Sequence, residues 1–237
     1  MNEEELAQIR FYQTAPHACS YLEGEEAITI FMDPEVELNK ALYSRLINGG
    51  FRRSASHLYR PGCPQCSACI SSRVRTREFE RSKRFQRVWK RNDDLEVKEA
   101  KSVDSPELYE LYARYINTRH KDGDMYPADQ EQYQGFIQAK SCTTRFFVFY
   151  LDQRPIAACV TDVLDHGLSA MYSFFDPDLD KRSLGTYMIL WQIEQAKAMN
   201  LPYLYLGYWI KESAKMSYKT QYRPLELLIN GQWALLT

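Results

Sequence analysis

Residues 145–185 read RFFVFYLDQRPIAACVTDVLDHGLSAMYSFFDPDLDKRSLG, and this stretch decides the architecture. Three runs dominated by apolar and aromatic residues, Arg145–Leu151, Ile156–Val163 and Leu168–Phe175, are separated by Asp152-Gln153-Arg154 and Asp165-His166-Gly167. Short polar separators between apolar runs of this length are turn signals, so the runs predict three consecutive antiparallel strands. Phe175-Asp176-Pro177 then leads through Lys181-Arg182-Ser183-Leu184-Gly185 into a helix expected from Leu184 to Met199.

Working outward, Leu95–Ala100 reads as a strand, and Pro106–Arg119 as a helix with a Tyr/Leu stripe at helical spacing. Asp129 is an N-cap for a second helix running to about Lys140. Beyond the decisive stretch come a strand at Tyr203–Leu206, a short helix near Glu212–Tyr218 and two strands meeting at Asn230-Gly231. The order is strand, two helices, three antiparallel strands, helix, strand, helix, strands, which resembles the GNAT acyltransferase fold. The first ninety or so residues read as short strands with one helix, Leu38 to Asn48, stopped by Gly49-Gly50. A cysteine-rich knuckle, Arg60 to Ser71, and a basic stretch, Arg73 to Arg91, follow. The expected fold class is α+β: a small N-terminal Cys-containing domain, residues 1–93, packed on a GNAT-like acyltransferase domain, residues 94–237.

Composition narrows the function classes. A 45% hydrophobic and 14% aromatic content is that of a globular chain. With a formal net charge of −1, any polyanion must be recognised by a local patch. The start, Met1-Asn2-Glu3-Glu4-Glu5, lacks the basic and apolar regions of a signal peptide, and no apolar run approaches the ~20 residues that span a bilayer. A cytoplasmic protein without membrane association is expected, its cysteines reduced or metal-bound. Cys63-x2-Cys66-x2-Cys69 sits in a loop turned by Pro61, Gly62 and Pro64. Three thiolates so close suit zinc or an iron–sulfur cluster, with a fourth ligand from elsewhere. Cys19 is the first candidate, ahead of His17 and His57; the alternative is small buried thiols without metal. Cys142 and Cys159 are isolated, and Cys159 reads as core.

In the basic stretch, Arg73, Arg75, Arg77, Arg81, Lys83, Arg84, Arg87, Lys90 and Arg91 are opposed only by Glu78 and Glu80. Lys83, Arg84, Arg87, Lys90 and Arg91 share one helical face, while Phe85 and Trp89 dock another against the body. Such a face is what recognition of a phosphate backbone needs, and Arg52-Arg53 is expected to extend it. The strand–loop–helix at Phe175–Gly185 is an anion-binding arrangement through exposed N–H groups. GNAT enzymes hold coenzyme A at such a place with a glycine-rich turn; here the turn has one glycine, with bulky Leu184 and Tyr187. Tyr203–Ile210, with Gly207 and Tyr208, is followed by Lys211, Lys215 and Lys219, which together suggest a cleft.

These segments together resemble the bacterial aspartate/glutamate leucyltransferases, relatives of the eukaryotic arginyl-tRNA–protein transferases. The likeness is carried by Cys19-Ser20-Tyr21-Leu22, Gly50-Phe51-Arg52-Arg53-Ser54, Tyr59-Arg60-Pro61 with the knuckle, and Arg91-Asn92-x-Asp94-Leu95. It continues in Arg119-His120-x-Asp122-Gly123-Asp124-Met125, Leu168-Ser169-Ala170, Phe175-Asp176-Pro177 and Arg182-Ser183-Leu184-Gly185. Tyr205-Leu206-Gly207-Tyr208-Trp209-Ile210 and Lys215-Met216-x-Tyr218-Lys219 complete it, so the match spans essentially the whole chain. Ser213 stands where many relatives carry a cysteine, and Leu22 where eukaryotic relatives carry the second cysteine of a pair.

The resemblance implies transfer of leucine from leucyl-tRNA to proteins beginning with Asp or Glu, marking them for degradation. No DNA is involved, and no cofactor is required for the chemistry. Tyr172, Tyr208 and Ser183 are the expected catalytic residues, the two tyrosines positioning the ester and helping to move the proton. Arg182, Ser183 and the N–H groups up to Gly185 are expected at the tRNA's terminal phosphate or ribose. Arg52, Arg53, Lys83, Arg84, Arg87, Lys90 and Arg91 complete the expected tRNA surface, and Lys215 or Lys219 is expected to pair with the acceptor's acidic side chain. Two rival readings differ in what they bind. An ordinary GNAT enzyme would bind coenzyme A, and a non-catalytic RNA-binding protein would ignore whether the tRNA is charged. An arginyl donor would need a buried carboxylate, a leucyl donor only apolar walls.

Overall fold

The structure is a computed structural model and describes residues 9–123, 125–137 and 143–237. Short strands β1 (Phe11–Gln13), β2 (His17–Ala18), β3 (Glu26–Ala27) and β4 (Thr29–Met32) lead to helix α1 (Lys40–Asn48). Strands β5 (Arg52–Ser54), β6 (His57–Pro61) and β7 (Ile70–Arg75) precede helix α2 (Lys83–Arg91) and strand β8 (Glu96–Ala100). Helices α3 (Pro106–Arg119) and α4 (Gln130–Phe136) come next. The expected three strands are β9 (Thr144–Leu151), β10 (Arg154–Val163) and β11 (Gly167–Phe175), followed by helix α5 (Leu184–Ala198). Strand β12 (Tyr203–Trp209), a 3-10 helix at Ala214–Gln221, and the hairpin β13 (Leu225–Ile229) and β14 (Gln232–Leu235) close the chain.

Local chemistry sets the helix starts. Asn39, Ser82, Ser105 and Asp129 each accept a hydrogen bond from an N–H of the first turn, at the N-cap positions of α1 to α4. The first helix therefore begins at Lys40 rather than Leu38, one residue after its cap. Cys142, Asp124 and Lys140, the expected end of α4, lie outside the described residues.

Strands β9 and β10 are buried on both faces, which is why they read as unbroken apolar runs. Phe147 and Phe149 pack with Ala157 and Cys159 against α2 and α5. Their neighbours Phe146, Val148, Ala158 and Val160 pack on the other face against α3 and α4. Cys159 is fully buried core, as its sequence context indicates. Eight strands form this sheet, in the order β14-β13-β7-β12-β11-β10-β9-β8. Strand β7 precedes the division expected at residue 93, yet it is hydrogen-bonded to β12 on one side and β13 on the other. The four-stranded sheet β1-β4-β6-β5 and the ribbon β2-β3 hold the rest of the N-terminal part.

One pair in the large sheet is parallel, and it opens. Strands β11 and β12 pair only over Gly167–Ser169 and Tyr203–Tyr205. At the base the backbones approach so closely that a Cβ on Gly167 would lie 2.5 Å from the Tyr203 carbonyl oxygen, so only glycine fits. Above Ser169 the strands part while each keeps its other neighbour, leaving a wedge.

A buried ion pair ties the N-terminal layer to the sheet. Arg53 on β5 donates from Nε and Nη2 to the two carboxylate oxygens of Asp162 on β10, at 2.7 and 3.0 Å. The Tyr43 hydroxyl on α1 and the Thr144 hydroxyl on β9 donate to the same carboxylate, at 2.5 and 2.6 Å. The side chains of the pair are 1% and 0% exposed. Replacing Asp162 by Ala strands a buried guanidinium, and urea unfolding should show a loss of about 3–5 kcal/mol; an unmoved midpoint would mean the pair does not hold the layers together.

Candidate active site

The wedge between β11 and β12 holds a cavity of about 480 Å³. Ala170, Met171, Tyr172 and Ser173 line it from β11, and Leu206, Gly207 and Tyr208 from β12. Ile189 and Gln192 of α5 close one side, and Met216, Tyr218 and Lys219 of the 3-10 helix another. From the N-terminal layer come Tyr21, Arg52, Arg53 and Tyr59, and His120 reaches in from the end of α3. No aspartate or glutamate appears among these lining residues.

Gly207 bends β12 into place. Its φ of +82° goes with a register shift between Tyr205 and Gly207, where a side-chain-bearing residue would be strained. The bulge turns Tyr208 inward, where its hydroxyl donates to the Gly50 carbonyl at 2.9 Å. Burial holds the phenols of Tyr172 and Tyr208 protonated far above neutrality. They are hydrogen-bond donors here, not bases. The Tyr172 hydroxyl has only a 3.5 Å contact with the Met125 sulfur, a weak acceptor, so it is the freer of the two.

Besides Arg53, which Asp162 neutralises, two cations without a carboxylate partner among the described residues are buried in the same cavity. Lys219 donates from Nζ to the Tyr208 carbonyl, and burial first, then the nearby Arg52, lowers its ammonium from 10.5 to about 7. Arg52 lies over the rings of Tyr205 and Tyr208, with Cζ 5.8 and 5.4 Å from their centroids. Lys215 is placed differently: exposed, it forms an ion pair with exposed Asp122. His120 sits edge-on to Tyr115, its centroid 4.8 Å away, and burial, Lys215 and Arg119 lower its pKa. The sequence reading quoted His120 and Tyr59 only as parts of motifs, since nothing local tells that α3 and β6 end at one cavity.

The expected basic face divides. Lys83, Arg84, Arg87, Lys90 and Arg91 are exposed on α2, and among the described residues none forms an ion pair with a carboxylate. Phe85 and Trp89 dock the helix as expected, Phe85 stacking on Tyr222 at 4.8 Å and Trp89 meeting the tilted ring of Tyr187 at 5.4 Å. Three cations in the first part of the stretch are paired after all, and Arg77 hydrogen-bonds to Asn200. Arg73 meets Glu226 at 2.6 Å, Arg75 meets Glu78 at 2.7 Å, and Arg81 meets Glu194 at 3.3 Å. Two of those partners lie far off in sequence, so local scarcity of acid misled. Arg52 and Arg53 do not extend the exposed face; both are buried.

Ser183 and Gly185 line a groove of their own with Arg119, Phe175 and Asp180, apart from the wedge. Ser183 adopts left-handed φ and ψ of 54° and 47° at the start of α5. Arg182 is held two-pronged by Asp94, both contacts 2.8 Å.

Cys19, Cys63, Cys66 and Cys69 all line a second cavity of about 380 Å³, whose wall includes Tyr208; His17 and His57 do not. Burial, and then the other three cysteines, push the Cys69 thiol up to about 11. An all-thiol set has the chemistry for zinc or iron–sulfur, but among the described residues no group of three His, Cys, Asp or Glu converges as a metal site requires. No helix among them is long and apolar enough to cross a membrane.

This geometry joins a cleft to a separate cationic face, and comparison with known proteins gives it a class. Residues 17–87 match the family "Arginine-tRNA-protein transferase, N terminus", and residues 107–229 the family "Arginine-tRNA-protein transferase, C terminus". The protein named aspartate/glutamate leucyltransferase in Stutzerimonas stutzeri is 51% identical over 98% of this chain and 99% of its own. That in Teredinibacter turnerae is 53% identical over 96% and 94%. The chain belongs to the aspartate/glutamate leucyltransferase family. A solved structure of FemX shares 9% identity over 91% of this chain and 85% of its own, at a TM-score of 0.49.

Lys219 also links the site to stability. Between pH 7 and 10.5 the unfolded chain binds a proton the folded chain has lost, so this residue makes stability rise with pH across that window. Below 7 the penalty for burying its charge is present in full. The stability of the native chain relative to a Lys219→Met variant should climb from pH 6.5 to 9.5 in paired urea titrations; parallel curves would refute the buried, depressed ammonium.

Proposed function

We propose that the chain transfers leucine from leucyl-tRNA to the N-terminal Asp or Glu of acceptor proteins in the cytoplasm, creating a degradation signal. The observation that carries this reading is the make-up of the wedge: two buried cations beside the paired Arg53, an apolar wall and no carboxylate among the described lining residues. Ala170, Met171, Ile189, Leu206 and Met216 suit a leucyl side chain, whereas an arginyl group would find no counter-charge among the described lining residues. An acidic acceptor finds the opposite. The fold is read as GNAT-like, with residues 94–237 as the transferase part and residues 1–93 as the Cys-containing part.

The acceptor's neutral α-amine attacks the ester carbonyl carbon. A C–N bond forms, the bond to the ribose oxygen breaks, and the amine's proton passes to that oxygen. The ester is already activated, so no ATP, cofactor or covalent enzyme intermediate is needed. The enzyme holds the two reactants together and stabilises the oxyanion. Tyr172, protonated and lightly engaged, donates to the oxyanion; Tyr208, fixed by Gly50, shapes the wall beside it. Lys219, not Lys215, is the acceptor-side lysine, because it lies inside the cavity. The groove with Ser183 and Gly185, braced by Arg182, takes the terminal phosphate or ribose, and the exposed face of α2 takes the tRNA backbone. If a metal is bound, Cys19, Cys63, Cys66 and Cys69 are its ligands, and no step of the transfer runs through it.

With matched leucyl- and arginyl-tRNA and a peptide beginning with Asp, only labelled leucine should appear on the peptide. Arginine transfer would overturn the donor, and no transfer with either would overturn the enzyme. A double variant, Arg87→Glu with Lys90→Glu, should weaken tRNA binding and flatten its logarithmic salt dependence by about 1 per lost phosphate contact; an unchanged slope would take α2 out of the tRNA surface.

A further inference from the structure

The guanidinium of Arg52 is only half satisfied. The residue is 5% exposed. Its Nη1 donates to the Phe51 carbonyl at 2.6 Å and to the Ile47 carbonyl at 3.3 Å, but Nε and Nη2 have no partner. Around it stand the phenols of Tyr208, Tyr205, Tyr59 and Tyr43 and the cationic Lys219. Asp162 is already engaged by Arg53, Tyr43 and Thr144. A permanent cation is thus buried beside an amine whose ammonium burial and Arg52 lower to about 7, with two donors unused, in a residue on the wall of the wedge.

The unused donors define a shape. Nε–H and the adjacent Nη2–H form one straight edge of the guanidinium, spaced to meet both oxygens of a carboxylate. The neighbouring arginine shows the match within this protein: Arg53 uses its own Nε and Nη2 on Asp162. On β5, Arg53 meets its internal carboxylate, while the same edge of its neighbour Arg52 has no partner, although both residues line the wedge.

We propose that Arg52 grips the side-chain carboxylate of the acceptor's N-terminal residue through this free edge, and so sets the preference for acidic N-termini. The assignment rests on the leucyl-transfer reading and names the residue within it. A tRNA phosphate shares the anionic chemistry, but the exposed cations of α2 do not line the cavity, and the groove with Ser183 is separate from it. The bound carboxylate also offsets the charge of Lys219. A neutral isostere, Asn or Gln, offers one acceptor oxygen instead of two, turns an NH2 donor toward the guanidinium and brings no charge, and that is the penalty that discriminates.

The test uses the full chain, leucyl-tRNA, and peptides identical except for Asp or Asn at the first position. In an Arg52→Met variant the ratio of kcat/KM for Asp over Asn should fall by about 100-fold, with the Kd for leucyl-tRNA unchanged. Arg52→Lys keeps a cation but loses the two-pronged edge, so its ratio should fall by about 10-fold; it also serves if the Met variant does not fold. A ratio retained in the variants, or a loss of leucyl-tRNA affinity in place of acceptor discrimination, overturns the proposal. Failure of the leucyl-transfer reading looks different. The native chain would then transfer leucine to neither peptide, and calorimetry would still decide Arg52 by whether the Asp peptide binds the native chain and not the variants.

Discussion

A carboxylate sealed from water accepts from a guanidinium and two hydroxyls, and the remaining architecture is arranged around that contact. Asp162 belongs to the central sheet, Arg53 and Tyr43 to the layer laid over it. A charge pair buried this completely is stable only if every donor and acceptor is placed, so the layer has one position on the sheet and not several. Apolar contacts of Leu42, Leu46, Ile47 and Leu58 with Leu164 and Tyr205 add area to the same junction, but they lack such directional control. Because the strand carrying Arg53 is fixed, its neighbour Arg52 is fixed too, as part of the wall of the wedge.

The wedge is a defect placed at one point of an otherwise continuous sheet. Two parallel strands touch for three residues each and then separate, and the backbone and side chains freed there form the walls of the cleft. Keeping two cations inside it disfavours folding, which is the usual relation between a site's readiness and the protein's stability.

Most elements were legible because their signals are local. The apolar runs from Arg145 to Phe175, the cap at Asp129, and the docking pair Phe85 and Trp89 each depend on residues a few positions apart. Contacts across great sequence distance were not legible. Arg73 finds Glu226, and Arg53 finds Asp162, through strand register that no window of the chain encodes. The basic stretch therefore looked uniform although three of its nine cations, Arg73, Arg75 and Arg81, are internally neutralised. The site followed the same division: Lys219, Tyr172 and Tyr208 stood in recognisable segments, whereas the burial of Arg52 and the approach of His120 come from packing.

Strand β7 carries a consequence for how the molecule is made. Its hydrogen-bonding neighbours are β12 and β13, so during synthesis Ile70–Arg75 leaves the ribosome long before either exists. The middle of the large sheet is completed only when nearly the whole chain has been translated. Until then the buried face of β7 must be shielded by provisional contacts or by chaperones. Its long-range pairings also place this chain among slow folders. A nascent chain halted near residue 93 would carry a bare strand with two open edges, prone to pair with another copy.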